Sequence, residues 1–266
     1  MPDAAATWSP APGVAHRLAR TRFHDVRHFA RVDSTNRYLL AEATRPDGVV
    51  AVADEQTAGR GRHGRTWSAA PGAALLVSAR LRPDLPPERL HLVTLAAAVG
   101  AADAVRTVAG FEPRVKWPND LVVDDRKLAG ILAEADGAGA VVVGMGLNLR
   151  ADAYPAELAA TATACDEHAA RAVDREELLV AWLCAFDAHL DAIDDVVAIA
   201  AARSATLGRA VRVELAHDSF AGTAARMTAE GYLVVARPDG ADAVVTAGDV
   251  VHLRPVTDPD PGSSVR

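Results

Sequence analysis

From Gln56 to Trp67 the chain reads Gln-Thr-Ala-Gly-Arg-Gly-Arg-His-Gly-Arg-Thr-Trp. It follows an apolar run, Val49-Val50-Ala51-Val52-Ala53, which reads as a buried strand. The stretch is therefore a cationic, glycine-rich loop leaving the end of a strand. Glycines let a backbone approach a ligand closely, and arginines supply forked donors that match phosphate or carboxylate oxygens. Gly59-x-Gly61-x-x-Gly64 also matches the dinucleotide fingerprint, which needs a helix to open at once behind it. Here Arg65-Thr66-Trp67-Ser68 leads through Pro71-Gly72 into a second strand-like run, Ala74-Leu75-Leu76-Val77-Ser78, so a doubly wound nucleotide fold is rejected. The loop alone leaves three readings: an anion-binding lid, a solvated basic turn and an Arg/Gly nucleic-acid segment.

Charge weighs against the last of these. The 266 residues hold 28 Lys plus Arg against 35 Asp plus Glu, a net charge of −7. An acidic body is a poor general nucleic-acid binder, and a local cationic spot on it suits a small anionic ligand. The length allows one large domain and a small one. Cys165 and Cys184 lack metal-ligand spacing, read as buried thiols and fit a cytoplasmic chain. No apolar run near 18 residues is evident, so no membrane span is expected, and residues 1–20 lack a signal-peptide core.

Residues 1–24 read as a loose arm. A half-buried strand is expected at Val26–Val32, then a cap among Asp33-Ser34-Thr35-Asn36 and a helix to about Ala43. Pro46-Asp47-Gly48 is a turn signal. Leu92, Leu95, Ala96, Val99, Ala102 and Val105 recur at helical spacing, with Gly110 as the stop. Arg114–Trp117 is strand-like, and Leu121–Val123 with Leu128–Ala135 forms a hairpin around Asp124-Asp125. Another strand spans 139–149. Asp174-Arg175-Glu176-Glu177 fits a capping box, opening a helix with Leu178, Trp182, Phe186 and Ile193 on one face. His189 is read at the edge of that face, with no partner spaced for it. From about 204, short runs at 210–216, 219–228, 231–237 and 243–253 indicate a small barrel or sandwich. Residues 257–266 read as a frayed tail. The expected division is 1–24, 25–203, 204–256 and 257–266.

Four segments, in this order, resemble the biotin protein ligases. They are Asp33-Ser34-Thr35-Asn36, the Gln56–Trp67 loop, Lys116-Trp117-Pro118-Asn119-Asp120 with Lys127-Leu128-Ala129-Gly130-Ile131-Leu132, and Gly144-Met145-Gly146-Leu147-Asn148. The arginine-glycine loop and Lys-Trp-Pro-Asn-Asp are highly specific, and the resemblance runs from about 26 to 254. It implies an α+β fold, a mixed β-sheet with flanking helices of class II synthetase-like type, followed by a small SH3-like β-barrel. It also implies the ligase-only class, without a DNA-binding head. His63 stands where the family often has a basic residue. Ala201-Ala202-Arg203-Ser204 lacks the aromatic residue often found before the last domain.

The implied reaction joins biotin to ATP as biotinyl-5′-adenylate, then to a lysine of a carrier domain of an acyl-CoA carboxylase. Biotin and ATP are substrates, Mg²⁺ travels with ATP, no protein metal site is expected, and neither DNA nor membrane is a partner. The catalytic candidates are Lys127, Arg62 and Asp120, the last as the base of the transfer step. Biotin would be held by Ser34, Thr35, Asn36, Gln56, Gly59, Arg60, Arg62, Lys127, Gly130, Gly144 and Gly146. The adenylate would meet Arg62, Arg65, Trp67, Asn119, Lys127 and Asn148. Gly144, Gly146 and Asn148 share one strand face by their period of two, while Met145, Leu147 and Leu149 take the other. Plainer readings remain for several of these: helix caps for Ser34 and Thr35, a turn lysine for Lys127, a bulge for the paired glycines. A lipoate or octanoyl ligase, and a biotin-sensing regulator, are the alternative functions.

Overall fold

A computed structural model describes residues 6–7, 12–41, 45–215, 218–246 and 248–252. Its contacts divide the chain into two compact units, Met1–Ala205 and Thr206–Arg266. The first unit holds β1 (Ala6–Thr7), α1 (Pro12–Leu18), β2 (Asp25–Val32), α2 (Thr35–Leu40), β3 (Val49–Gln56), β4 (Ala74–Leu81) and α3 (Leu92–Ala109). It continues with β5 (Arg114–Lys116), β6 (Asp120–Val123), β7 (Arg126–Ala135), β8 (Val141–Asn148), α4 (Arg175–Asp191) and α5 (Val196–Ala202). The strands form one sheet in the order β1-β2-β3-β4-β8-β7-β6-β5. Only β2 and β3 run parallel, because α2 carries the chain back between them; the other described pairings are antiparallel.

Local chemistry sets the elements. Ser34 caps α2, its side chain accepting from the Arg37 N–H at 3.4 Å. The helix ends earlier than its apolar pattern suggests, at Leu40, and residues 42–44 lie outside the described residues. Gly48 has φ +79, and a Cβ there would lie 2.0 Å from the Arg22 carbonyl oxygen, so the turn before β3 requires glycine. Asp124 and Asp125 both have positive φ, 49 and 63. Those are the values a two-residue type I′ hairpin demands, and aspartate tolerates them. Asp174 caps α4 by accepting from Glu177 N–H at 2.9 Å, as the capping pattern predicts, and Gly110 stops α3 in the left-handed region.

Side chains on the two faces of β4 and β8 have separate duties. Leu75, Val77, Ala79, Met145 and Leu147 are buried on the face covered by α3, with α4 packed behind it. Gly100 lets those two helices meet, because a Cβ there would sit 2.9 Å from the Phe186 backbone nitrogen. Trp182 donates across the same interface to the Ala97 carbonyl at 3.1 Å. Pro87–Ala109 is in fact long and apolar enough to cross a membrane, contrary to the sequence reading, but most of it is buried within the fold; it is a core helix. The opposite face of β4 carries Ser78 and Arg80 and meets α2.

Two regions carry more structure than their sequence suggests. Ala6–Thr7 pairs with β2, Phe23 is fully buried and stacks on Phe186, and Arg22 binds Asp187 on α4 at 2.5 Å. His189 does have a partner, Asp103 on α3, at 2.8 Å. Sequence spacing hid it, because the two lie on different helices 86 residues apart. Cys165 is buried and Cys184 is half-buried.

The second unit holds β9 (Ala210–Glu214), β10 (Ser219–Met227), β11 (Leu233–Ala236), β12 (Asp242–Val245) and β13 (Asp249–His252). They form an antiparallel sheet ordered β12-β11-β10-β9-β13, of the SH3-like class. Val211, Val213, Leu233, Val235 and Val245 form its interior. The run expected at 243–253 is two strands, because Gly248, at φ 137, breaks it. The tail at 257–266 lies outside the described residues.

A buried ion pair ties β4 to the end of β7. Arg80 donates to Asp136 at 2.7 Å, with side chains 0% and 3% exposed. Burial works to raise the Asp136 pKa, but hydrogen bonds from Arg80 and the Ala138 and Ala140 N–H groups outweigh it and hold it at about 2, against an ordinary 3.8. A depressed carboxylate stabilises the fold above its unfolded pKa, and that contribution is lost as pH falls through the folded value. Acid titration of stability should therefore show a loss between pH 3.8 and about 2 that Asp136→Asn lacks. Asp136→Ala should cost about 3–5 kcal/mol at neutral pH in urea unfolding, since it strands a buried guanidinium.

Candidate functional site

The site lies on the α2 face of the sheet, where β7 and β8 lack side chains. Gly130 pairs with Gly146, and Leu132 with Gly144. A Cβ on Gly144 would lie 2.1 Å from Asn36 Oδ1, and one on Gly146 would lie 2.3 Å from the Trp67 ring. One on Gly130 would lie 2.9 Å from Lys127 Nζ and 3.2 Å from Trp67. The three glycines thus make room for an amide, an indole and an ammonium group. This is close approach rather than a bulge at the paired glycines, because β4–β8 pairing is regular through Gly144 and Gly146.

At one end is a cluster of buried polar groups. The Thr35 N–H donates to Gln56 Oε1 at 2.7 Å, and Thr35 Oγ1 lies 3.0 Å from the same oxygen. Ser78 Oγ lies 2.7 Å from Thr35 Oγ1 and donates to Asn36 Oδ1 at 2.6 Å. Asn36 Nδ2 donates to Glu134 Oε2 at 2.8 Å and to the Leu132 carbonyl at 3.2 Å. These partners orient both amides, with Gln56 and Asn36 offering oxygen to the cluster. Three oxygen–oxygen contacts are then served by only two hydroxyl hydrogens, so the cluster is one donor short. A ligand bringing N–H groups would supply it.

At the other end is the cationic cluster. Lys127 Nζ meets Asp120 Oδ1 at 2.8 Å and lies 5.7 Å from the Trp67 ring centroid. A register shift in the β6–β7 ladder at this point is the kind of bulge that re-aims a side chain, and it lets Lys127 share a face with Gly130. The Lys127 backbone is also held by the 161–163 segment, donating to Thr161 O at 2.7 Å and accepting from Thr163 N–H at 2.9 Å. Asn148 fastens that segment, its Nδ2 donating to Thr163 O at 2.9 Å and Lys127 O at 3.5 Å. Its amide nitrogen therefore serves the backbone. Lys127 is a strand residue, 38% exposed, and not a turn lysine in solvent.

The glycine-rich loop closes on these elements. It is a small hairpin: Trp67 N–H donates to Gly59 O at 3.0 Å, Gly61 N–H donates to Arg65 O at 2.7 Å, and Arg60 bridges Thr66. A Cβ on Gly59 would lie 2.3 Å from Trp67 O, which is why glycine stands at the loop's neck. Its tip carries His63 at φ 53 and Gly64 at φ 73. Arg62 donates to Asn119 Oδ1 at 3.1 Å, while Asn119 Nδ2 donates to Ile131 O at 2.8 Å. Arg60 pairs with Glu134 Oε1 at 2.9 Å. Arg65 Nε donates back to Arg62 O at 3.3 Å. The buried Trp67 Nε1 has no hydrogen-bond partner among the described residues, leaving a donor at the floor of the site.

Thus Thr35, Asn36, Gln56, Arg60, Arg62, Trp67, Asn119, Asp120, Lys127, Gly130, Gly144 and Gly146 are brought together. Ser34 caps α2 with its hydroxyl oxygen, and Asn148 gives its amide nitrogen to backbone carbonyls. Trp117 is buried. Three participants were missed. Ser78 was visible, with Arg80, as one of two polar residues in an otherwise apolar strand. Glu134 shares the period-two face of Gly130 and Leu132. Glu167 gave no such signal, yet it joins Tyr154, Arg126, Thr163 and the Ala164 N–H at 2.5, 2.6, 3.0 and 3.0 Å. Burial works against its charge, but these bonds outweigh it and hold its pKa at about 2, bracing the 150–168 segment beside Lys127.

The stretch that carries this glycine-floored face, residues 28–149, matches the Biotin/lipoate A/B protein ligase family. The Biotin protein ligase C terminal domain matches residues 206–253. The chain is 38% identical over 237 residues to the biotin–[acetyl-CoA-carboxylase] ligase of Mycobacterium tuberculosis, covering 85% of this chain and 88% of that one. It is 39% identical over 196 residues to the enzyme of the same name from Paracoccus denitrificans, covering 69% and 80%. The fold matches the biotin protein ligase from Aquifex aeolicus in complex with biotin and ATP, with TM-score 0.76, 25% identity and coverage of 86% and 98%. The chain belongs to the biotin protein ligase family.

Gly146→Val should push the Trp67 ring off the site floor, since even a Cβ falls 2.3 Å from it. Limited proteolysis should then cut the 57–67 loop faster in this variant than in the wild-type protein.

Proposed function

We propose that the chain activates biotin with ATP to biotinyl-5′-adenylate and pyrophosphate, then transfers biotin to a lysine of a biotin carboxyl carrier domain of an acyl-CoA carboxylase. The observation that carries this reading is the polarity of the glycine-floored face. A donor-poor oxygen cluster at Thr35, Gln56, Ser78 and Asn36 suits a ureido ring, whose N–H groups donate. The cations Arg62 and Lys127 beside Trp67 suit a carboxylate meeting a phosphate. Family membership supports the same reaction, and the relatives' name supports acetyl-CoA carboxylase as the source of the carrier.

In the first step a biotin carboxylate oxygen attacks the α-phosphorus of ATP, the bond to the β-phosphate oxygen breaks, and pyrophosphate leaves. Two anions meet, so fixed positive charge at the reacting atoms lowers the barrier. Lys127 and Arg62 are assigned that role, with Arg60 and Arg65 on the loop. Asn119 holds Arg62, and Trp67 walls the adenylate. Among the described residues no group of three His, Cys, Asp or Glu could hold a metal. Mg²⁺ is assigned to the ATP phosphates because it arrives bound to the nucleotide, as part of the incoming substrate.

In the second step a carrier amine attacks the acyl carbon, the acyl–phosphate bond breaks, and AMP leaves. A neutral amine is needed, and Asp120 is the assigned proton acceptor. The Lys127–Asp120 pair is partly exposed, and pairs of that kind contribute little, about 0–1 kcal/mol. Lys127 can therefore exchange Asp120 for the phosphate, which frees a carboxylate oxygen for the amine. The mixed anhydride must be kept from water, and the 59–67 hairpin is assigned as the lid. The acidic composition supports a role without DNA.

Pyrophosphate release, measured with ATP, Mg²⁺ and biotin, lipoate or octanoate, tests the reading. Biotin should give turnover and an acid-quenched biotinyl-adenylate; turnover with lipoate alone overturns it. Lys127→Ala should reduce kcat/KM for adenylate formation by about a hundredfold or more, with an unchanged circular dichroism spectrum.

A further inference from the structure

We propose that Glu134 is the positioning residue that holds the glycine-rich loop closed and sets the hydrogen-bond polarity of the oxygen cluster beneath it. The inference rests on the ligase reading for its kinetic consequences and on geometry for its structural ones. Glu134 lies on β7 with its carboxylate split between two duties. Oε1 meets the Arg60 guanidinium at 2.9 Å, with Arg60 46% and Glu134 19% exposed. Oε2 accepts from Asn36 Nδ2 at 2.8 Å, and Asn36 is only 4% exposed. One carboxylate thus joins the neck of the lid to the buried amide of the pocket.

Two acceptors fix which way that amide faces, Glu134 Oε2 at 2.8 Å and the Leu132 carbonyl at 3.2 Å. Reversed, Asn36 would set its carbonyl oxygen against Glu134 Oε2, two acceptors at hydrogen-bond distance with no hydrogen between them. Glu134, the nearer and the charged one of the two acceptors, thus joins the Leu132 carbonyl in keeping Asn36 Oδ1 turned toward Ser78 Oγ and the space over Gly144. Ser78 must then spend its single hydrogen on Asn36, and Thr35 must satisfy both Ser78 and Gln56 with one hydrogen. The donor shortage that suits an N–H-bearing ligand is reinforced from Glu134, by the stronger of the two bonds that orient Asn36. A glutamine of the same size carries one oxygen and one N–H₂ group. It cannot accept from both Arg60 and Asn36, and with its N–H₂ turned to Asn36 only the Leu132 carbonyl, at 3.2 Å, still holds the amide in place.

Glu134→Gln should raise the biotin KM about tenfold, the loss of one charge-assisted hydrogen bond, with the ATP KM moving far less. It should also speed cutting of the 57–67 loop with biotin and ATP present, and release more biotinyl-adenylate into solution. Arg60→Gln should speed the same cutting, and the double variant should be cut no faster than the single ones, because both break one contact. Wild-type biotin KM and loop protection in Glu134→Gln would overturn the proposal, as would additive effects in the double variant. A lowered melting temperature with neither change would mark Glu134 as merely structural and overturn it too. If Glu134→Gln fails to fold, the exposed Arg60→Gln reads the latch by the same cutting assay. If the wild-type protein releases no biotin-dependent pyrophosphate, the ligase reading falls. Cutting of the ligand-free variants then decides the latch separately.

Discussion

Three missing side chains organise this molecule's chemistry. On one face of β7 and β8, Gly130, Gly144 and Gly146 leave space that Lys127, Asn36 and Trp67 enter, each within 3.2 Å of where a Cβ would stand. A strand interior normally loses stability at glycine, through entropy and lost packing. Here the other face of β8 offsets that loss with Met145 and Leu147, both buried on the side covered by α3. A single strand thus serves as core on one side and as the floor of a groove on the other. The alternation that makes this possible is the two-residue period of the pleat.

The cations of the groove are distributed among separate partners. Arg60 is held by Glu134, Lys127 by Asp120 and Arg62 by Asn119. Like charges drawn together without such partners would repel, by about 4 kcal/mol at 4 Å for an effective dielectric of 20. Partnering lets an acidic protein hold a cationic site in a preset geometry, and preset geometry is what stabilises charge that develops during a reaction. The partners are also weak enough to exchange, since none of these three contacts is fully buried. The Arg80–Asp136 pair differs in both respects: it is buried on both sides and serves the fold.

Much of this was legible in the residues, for physical reasons. The Gln56–Trp67 loop stood out because glycine and arginine at that density suit close approach to an anion, and the acidic charge of the whole chain weighed against its reading as a nucleic-acid segment. The Asp124-Asp125 hairpin, the Gly110 helix stop and the Asp174 cap followed from local chemistry that needs no tertiary context. What stayed hidden depends on register. Glu134 meets Asn36 across 98 residues, and Ser78 meets Asn36 across 42; neither distance carries a spacing signal. His189 and Asp103 face each other only because α3 and α4 pack at Gly100. The barrel strand at 243–253 was read as one because Gly248 looks, in sequence, like any glycine in a strand.

The loop and the lysine are held in different ways, and the difference matters for a reaction that makes an unstable anhydride. Lys127 is fixed by its own strand pairing, by the 161–163 segment on its other side and by Asn148 beneath it. The 59–67 hairpin is fastened to the sheet by side chains, through Arg60 to Glu134, Arg62 to Asn119 and the packing of Trp67 near Ala73, Ala74 and Leu76. Regions with few buried contacts open at low cost, whereas strand-paired backbone opens only with the fold. Under the proposed chemistry the strand that presents the charge-stabilising Lys127 must stay in place and the cover must move. The division between backbone-held floor and side-chain-held lid meets both demands with one sheet.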